Sequence, residues 1–156
     1  MRLLIDRTGN LFNTDAKIIG HGVNVDGLMG AGIAVQFRIR YPKNYQNYKQ
    51  DCLNKLLVPG SMNGMIEDGK AVFNFASQDR PGAHAQYKWL FGSLYDGLTF
   101  MSKNQGFVST YGDTIAIPEI GCGIGGLQWS KAEKVVRLVE ELFDYKYEFE
   151  VWHYDG

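Results

Sequence analysis

Residues 20–32 are the stretch that decides the fold of this chain. They read Gly-His-Gly-Val-Asn-Val-Asp-Gly-Leu-Met-Gly-Ala-Gly and follow the run Lys-Ile-Ile at residues 17–19. A short apolar run that leads into glycines is typical of a buried strand, and the apolar spacing over residues 33–39 is typical of an amphipathic helix. The stretch therefore predicts a strand, a glycine-rich loop and a helix that Tyr41 and Pro42 end.

A second glycine-rich stretch has the same surroundings. Residues 118–129 read Pro-Glu-Ile-Gly-Cys-Gly-Ile-Gly-Gly-Leu-Gln-Trp. They follow a predicted strand at residues 114–117 and precede a predicted helix that begins at a capping box, Ser130 to Glu133, and runs to about Phe143. Loops of this kind meet at the carboxyl edge of an α/β sheet, where ligands bind. We expect the two loops to line one cleft.

The remaining patterns alternate between strand and helix. Further helices are predicted from Pro42 onwards and over residues 85–103. Further strands are predicted at residues 3–5, 17–19, 64–67, 71–75 and 147–153, and an Asp68-Gly69 turn joins two of them as a hairpin. Helices that interleave with strands predict an α/β domain of three layers, α/β/α, around a mixed central sheet.

Composition limits the class of protein. The 156 residues fit a single domain, residues 1–156, with a core that needs no metal or disulfide. Sixteen Lys and Arg against seventeen Asp and Glu give a net charge of −1, which argues against nucleic acid and membrane surfaces as partners. The two cysteines and three histidines match no zinc pattern. We expect a cytoplasmic, metal-independent monomer with no cofactor, no signal peptide and no transmembrane span.

The glycine loops offer a backbone site for an anion. Neither loop contains Lys or Arg. Glycine lets the backbone approach an oxygen-rich ligand, successive amides form an anion-binding nest, and the helix N-termini behind the loops add a favourable dipole. Two such loops can hold a diphosphate without a basic side chain, although each could instead be only a tight turn. A P-loop motif is absent, and the GxGxxG match at residues 121–126 has too few residues after it for a dinucleotide fold.

These stretches resemble the macro domain family, an α/β module that binds ADP-ribose. The similarity extends over residues 9–12, 21–42 and 118–129. Residues 21–42 are most similar to the ADP-ribose 1''-phosphate phosphatase branch, and residues 118–129 to the terminal ADP-ribose protein glycohydrolase branch. The resemblance implies hydrolysis of ADP-ribose 1''-phosphate to ADP-ribose and phosphate. The alternatives are a non-catalytic ADP-ribose reader and an ADP-ribosyl hydrolase that acts on modified macromolecules.

The resemblance also implies which residues bind the ligand. Asn10 and Leu11 would contact the adenine, although many relatives have Asp at the first position, which would weaken or reverse the contact to the exocyclic amine. Trp152 or Tyr154 would lie along the ring. The distal ribose and one phosphate would face Asn24 and the amides of Gly30, Ala31, Gly32 and Ile33. The other side of the diphosphate would meet Gly121, Cys122, Gly123, Ile124, Gly125 and Gly126.

The first loop offers two titratable side chains for catalysis. Asp26 would activate water or attack directly, and His21 would donate a proton or orient the phosphate, with Asn24 beside them. Structural interpretations stay open: Asp26 can form a turn, and His21 can be bonded within the core. Cys122 has no neighbouring His and is expected to be a small buried residue.

Three positions depart from the hydrolase branches. The terminal glycohydrolase branch uses a Lys after the central strands and an Asp in the second glycine loop, and here Gln78 and Gly125 stand in those places. Another hydrolase branch has an Asp where this chain has Ala34. Without the amine and its acidic partner, removal of ADP-ribose from protein by those mechanisms is not expected.

Overall fold

The computed structural model of the protein describes residues 4–154. Its strands are β1 (Ile5–Thr8), β2 (Ile18–Val23), β3 (Met62–Glu67), β4 (Lys70–Ala76), β5 (Thr114–Ile117) and β6 (Glu148–His153). Its α-helices are α1 (Ile33–Arg40), α2 (Pro42–Leu53), α3 (Tyr87–Lys103), α4 (Gln105–Tyr111) and α5 (Trp129–Leu142). A 3-10 turn lies at Leu11–Asn13.

The six strands form one mixed sheet in the order β1-β6-β5-β2-β4-β3. Every neighbouring pair is parallel except β3 and β4, which form the predicted hairpin. Its turn residues Asp68 and Gly69 have φ of 55° and 77°, the left-handed pair that a tight hairpin requires. The carboxyl ends of the five mutually parallel strands meet at one edge, because parallel strands end on the same side; these strands are β1, β2, β4, β5 and β6.

Alternating side chains bury both faces of the sheet, which confirms the three-layer α/β/α prediction. On one face Phe73 and Phe75 of β4 pack with α3 and α5, through residues such as Leu94 and Val136. On the other face Val72 packs with Phe37 of α1. The period of two along β4 therefore determines which helices cover which side.

The helix ends show where the sequence patterns were incomplete. The prediction of a capping box at Ser130 is wrong, because α5 begins at Trp129 and its N-cap residue, Gln128, makes no side-chain capping hydrogen bond. The sequence patterns also missed α4, whose glycine and β-branched residues are poor helix formers. Tertiary contact compensates, since Phe107 stacks on Phe73 with ring centroids 5.9 Å apart.

Strand β1 begins two residues later than the strand predicted at residues 3–5, and Leu3 lies outside the described residues. No helix between residues 4 and 154 has the length and apolar character needed to cross a bilayer.

Candidate ligand-binding cleft

A cleft of about 1210 Å³ opens along the carboxyl edge of the sheet. Residues that follow β1, β2, β4, β5 and β6 all line it. Both glycine-rich loops are among them, so the structure brings the two predicted loops to one cleft.

Most of the sequence-predicted binding residues line this cleft. They are Asn10, Leu11, Asn24, Gly30, Ala31, Gly32, Ile33, Gly121, Cys122, Gly123, Ile124, Gly125, Trp152 and Tyr154. Gly126, Asp26 and His21 do not line it. Sequence reasoning had not assigned Gln36, Ser77 or Glu119 to the site, and all three line it.

Asn24 gives the first loop its shape. Its Oδ1 accepts hydrogen bonds from the amides of Asp26 (2.9 Å) and Leu28 (3.5 Å), and its Nδ2 donates to the Leu28 carbonyl (2.9 Å). The hydroxyl of Tyr48, on α2, donates to the Asn24 carbonyl at 2.8 Å. The Asn24 side chain is therefore bonded within the loop, where it holds the backbone amides of the loop in position.

Asp26 lies in this turn with its side chain exposed to solvent. It lies close to α2, because a Cβ added at the next residue, Gly27, would be 3.4 Å from Cγ of Lys49 and 3.8 Å from Cβ of Cys52. The structure thus favours the turn interpretation of Asp26 over the prediction that it activates water at the ligand.

His21 belongs to β2 rather than to the loop, so the predicted position in the loop is wrong. The side chain is fully buried, and its ring stacks on Phe37 with centroids 3.8 Å apart. Its Nε2 lies 2.9 Å from Oδ1 of Asn74, an oxygen that also accepts from Asn44. Because Oδ1 can only accept, Nε2 is the donor. Burial lowers the pKa of His21 to about 4, although the hydrogen bond that the ring donates to Asn74 acts in the opposite direction, so the ring is neutral.

The buried imidazole predicts a loss of stability in acid. The unfolded chain binds a proton at His21 below about pH 6.5, whereas the folded protein does so only near pH 4. The free energy of unfolding therefore includes the full contribution of the neutral His21 ring above about pH 6.5. It decreases by about 3 kcal/mol as the pH falls to 4.

Urea unfolding of wild type and His21→Gln over this range should give a flatter pH profile for the variant. His84→Gln, at an exposed site, should keep the wild-type slope. Equal slopes for all three proteins would contradict this assignment.

The second loop is closed by its own backbone. The Gly121 carbonyl accepts from the Leu127 amide at 2.8 Å, and Gly121 and Gly126 have φ of 78° and 87°. A Cβ added at Gly125 would lie 2.7 Å from the Gly121 carbonyl oxygen and 3.0 Å from Oε1 of Gln78. Gly125 and Gln78, which the resemblance places where the terminal glycohydrolase branch has Asp and Lys, are therefore neighbours here. A side chain at Gly125 would not fit in this conformation of the loop.

Cys122 lies in the cleft wall with its thiol directed to a local acceptor. Its Sγ is 3.5 Å from the Ile120 carbonyl oxygen. Burial, with the nearby charge of Glu119, raises the pKa of the thiol to about 11. A protonated thiol is a poor nucleophile at neutral pH, so Cys122 contributes shape and backbone rather than attack.

One end of the cleft is rich in aromatic side chains. This aromatic end consists of residues 9–12, Trp152 and Tyr154. The Gly9 amide donates to the His153 carbonyl at 2.9 Å, which ties the loop after β1 to the end of β6. Asn10 caps the 3-10 turn, with Oδ1 accepting from the Phe12 amide at 3.0 Å. The flat apolar walls suit an aromatic ring.

The titratable side chains that line the cleft within the described part of the chain are Glu119, Cys122 and Tyr154. No three His, Cys, Asp or Glu side chains between residues 4 and 154 come close enough together to hold a metal ion. The cleft therefore offers mainly backbone amides and apolar walls.

A sequence model of the macro domain family matches residues 21–136, which include both glycine loops. The chain is a macro domain. That membership accounts for the strand order and for the meeting of the two loops at one sheet edge.

Curated relatives of this macro domain are hydrolases by name. It is 31% identical to the human ADP-ribose glycohydrolase OARD1 over 140 residues, which cover 87% of this chain and 81% of that protein. It is 29% identical to the DNA ADP-ribosyl glycohydrolase of Mycobacterium tuberculosis over 142 residues. That match covers 88% of this chain but only 39% of the relative, so the macro domain described here spans well under half of the mycobacterial protein.

A solved structure has the same fold along nearly the whole chain. The macrodomain of Thermus aquaticus DarG superposes with a TM-score of 0.81 at 25% identity and covers 99% of both chains. The macro domain prediction is confirmed, whereas the assignment to the phosphatase branch stays a prediction.

Proposed function

We propose that this macro domain binds ADP-ribose and recognises it as a group attached to a macromolecule. The observation that supports the proposal is the single cleft lined by both glycine loops. Cβ atoms added at Gly30 and Gly123 would meet no heavy atom within 4 Å, so the backbone there is open to a ligand. Amides that are open on two sides of one cleft suit the two phosphates of a diphosphate.

Each part of ADP-ribose has a matching part of the cleft. Adenine would lie at the aromatic end, between Leu11 and Trp152. The diphosphate would accept hydrogen bonds from amides of the first loop, near the positive end of the α1 dipole, and from those of the second loop. The distal ribose would reach the region of Asn24 and Gln78, past the ends of β2 and β4.

The cleft has room for the whole of ADP-ribose. Its 1210 Å³ lies slightly above the range of about 300–1,000 Å³ that is common for small-molecule sites. Because the cleft is open along the edge of the sheet, an ADP-ribosyl group could enter it while it is still attached to a protein or nucleic acid. The expectation that nucleic acid is not a partner stays a prediction, and modified DNA belongs among the carriers to be tested.

Hydrolysis is the second candidate function, and the names of the curated relatives favour it. In that reaction water adds to the anomeric carbon of the distal ribose and the carrier leaves with a proton. Loop amides would stabilise developing charge. Incubation with ADP-ribosylated DNA and with ADP-ribose 1''-phosphate tests both the glycosidic and the phosphatase versions. Release of ADP-ribose from DNA would support the glycosidic reaction, and release of phosphate would support the phosphatase reaction. Release of neither product would support a protein that binds ADP-ribose without hydrolysis.

Calorimetric titration tests the binding proposal itself. We expect ADP-ribose to bind at least about 100-fold more tightly than AMP, because AMP lacks the second phosphate and the distal ribose. Two charge-assisted hydrogen bonds are enough for a difference of this size. Equal affinities would mean that the two loops do not act together, and absence of binding by both ligands would contradict the proposal.

A further inference from the structure

The cleft contains a carboxylate to which sequence analysis gave no role. Glu119 supplies the only Asp or Glu side chain among the described residues that line the cleft. It follows Pro118 at the end of β5, within the second glycine-rich stretch. A carboxylate oxygen in such a cleft can accept a hydrogen bond from a donor group of the ligand.

Glu119 is held by a bridge of three side chains. Its Oε2 lies 2.8 Å from Nδ1 of His153, and Nε2 of the same ring lies 2.8 Å from Oδ1 of Asp6. Burial lowers the pKa of His153, but the hydrogen bonds to Asp6 and Glu119 outweigh it, so the net shift of the pKa is upward. The edge of the ring also contacts Trp129. One carboxylate oxygen of Glu119 is therefore engaged with His153, whereas Oε1 makes no hydrogen bond to a described residue.

The bridge lies next to the surface on which adenine would rest. His153 directly follows Trp152 on β6, and its carbonyl accepts from the Gly9 amide. Asn10, the next residue after Gly9, and Glu119 both line the cleft.

Asn10 has fewer acceptor sites for the exocyclic amine of adenine than a carboxylate has. Its Oδ1 already accepts from the Phe12 amide at 3.0 Å, and the other group of its amide is a donor. Asn10 therefore has one side-chain oxygen, already engaged once, where a carboxylate would have two, and a second acceptor for the amine would strengthen its recognition.

We propose that Glu119 accepts a hydrogen bond from the exocyclic amine of adenine and thereby makes the cleft selective for adenine. This inference rests on the proposed binding of ADP-ribose. The geometry supports it because Glu119 lines the cleft with one carboxylate oxygen unbonded, and its other oxygen is bonded to His153, which follows Trp152 on β6 and whose carbonyl accepts from the Gly9 amide.

Inosine diphosphate ribose tests the proposal, because it carries a carbonyl oxygen where ADP-ribose carries the amine. We expect wild type to bind ADP-ribose roughly tenfold or more tightly than the inosine ligand by calorimetry. In Glu119→Gln the amide can accept from the amine or donate to the carbonyl, so the two affinities should agree within about twofold. Glu141→Gln makes the same chemical change at an exposed position of α5 away from the cleft, and it should keep the wild-type ratio.

The possible failures are distinguishable. If both proteins bind ADP-ribose and the ratio of its affinity to that of the inosine ligand is the same in wild type and in Glu119→Gln, the role of Glu119 is overturned and the binding function stands. If wild type binds neither ligand, the proposed function and this inference fall together. Circular dichroism of Glu119→Gln checks that the variant is folded.

Discussion

Gly123→Phe is expected to lower the affinity for ADP-ribose by at least about 100-fold, since it puts an aromatic side chain in the path of the diphosphate. Gly123 lines the cleft, and an added Cβ there would meet no heavy atom within 4 Å. Its φ is not in the left-handed region, so the backbone accepts a side chain. The fold should therefore survive while the ligand is excluded. Titration calorimetry measures the affinity, and thermal unfolding monitors the fold.

Gly106→Phe is the matched control. Gly106 lies on α4, does not line the cleft, and is equally free of neighbours within 4 Å of an added Cβ. The Gly106→Phe protein should bind ADP-ribose with the affinity of wild type. Gly32, which the resemblance places on the opposite side of the diphosphate from Gly123, is a less suitable position because its φ of 60° and ψ of −145° would strain any side chain. Wild-type affinity in Gly123→Phe would show that the diphosphate does not pass the second loop.

Asn74→Leu is expected to cost about 3–5 kcal/mol of unfolding free energy. Asn74 is fully buried on β4, where Oδ1 accepts from His21 and Asn44 and Nδ2 donates to Asn44 and Asn63. Leucine has nearly the same volume but no polar atoms. It would leave the buried polar groups of His21 and Asn44 without partners, and each such group costs about 1–3 kcal/mol.

Urea unfolding with Asn47→Ala as control checks this prediction. Asn47 lies on the same helix as Asn44 but is partly exposed, and a change of less than about 0.5 kcal/mol is expected there. A cost below 1 kcal/mol for Asn74→Leu would mean that the network does not contribute to stability as described. The network also affects the cleft indirectly, because it anchors α2, whose Tyr48 bonds to Asn24 in the first loop.

The parts of the fold with strong local patterns could be predicted from the sequence. The glycine loops, the Asp68-Gly69 hairpin and the helix stop at Pro42 each depend on a few neighbouring residues, and the structure confirms them. Helix α4 could not be predicted in this way, because contacts with Phe73, distant in sequence, stabilise it.

The candidate site was predicted better in its backbone than in its side chains. Glycine spacing reports where amides are open, whereas the direction of a side chain depends on the strand register. His21 is adjacent to the loop in sequence, but it lies within β2 beside Asn74, and the pairing of those two strands buries its ring. Asp26 is directed by the turn that Asn24 forms. The role of Glu119 depends on His153, 34 residues away, which no local pattern reveals.

A crystal structure of the protein with ADP-ribose tests the central claim most directly. We predict adenine between Leu11 and Trp152, with its amine at Glu119. The diphosphate should accept hydrogen bonds from amides within residues 30–33 and 121–125, and the distal ribose should lie near Asn24 and Gln78. A ligand bound outside this cleft, or a diphosphate held by basic side chains instead of the loop amides, would contradict the account.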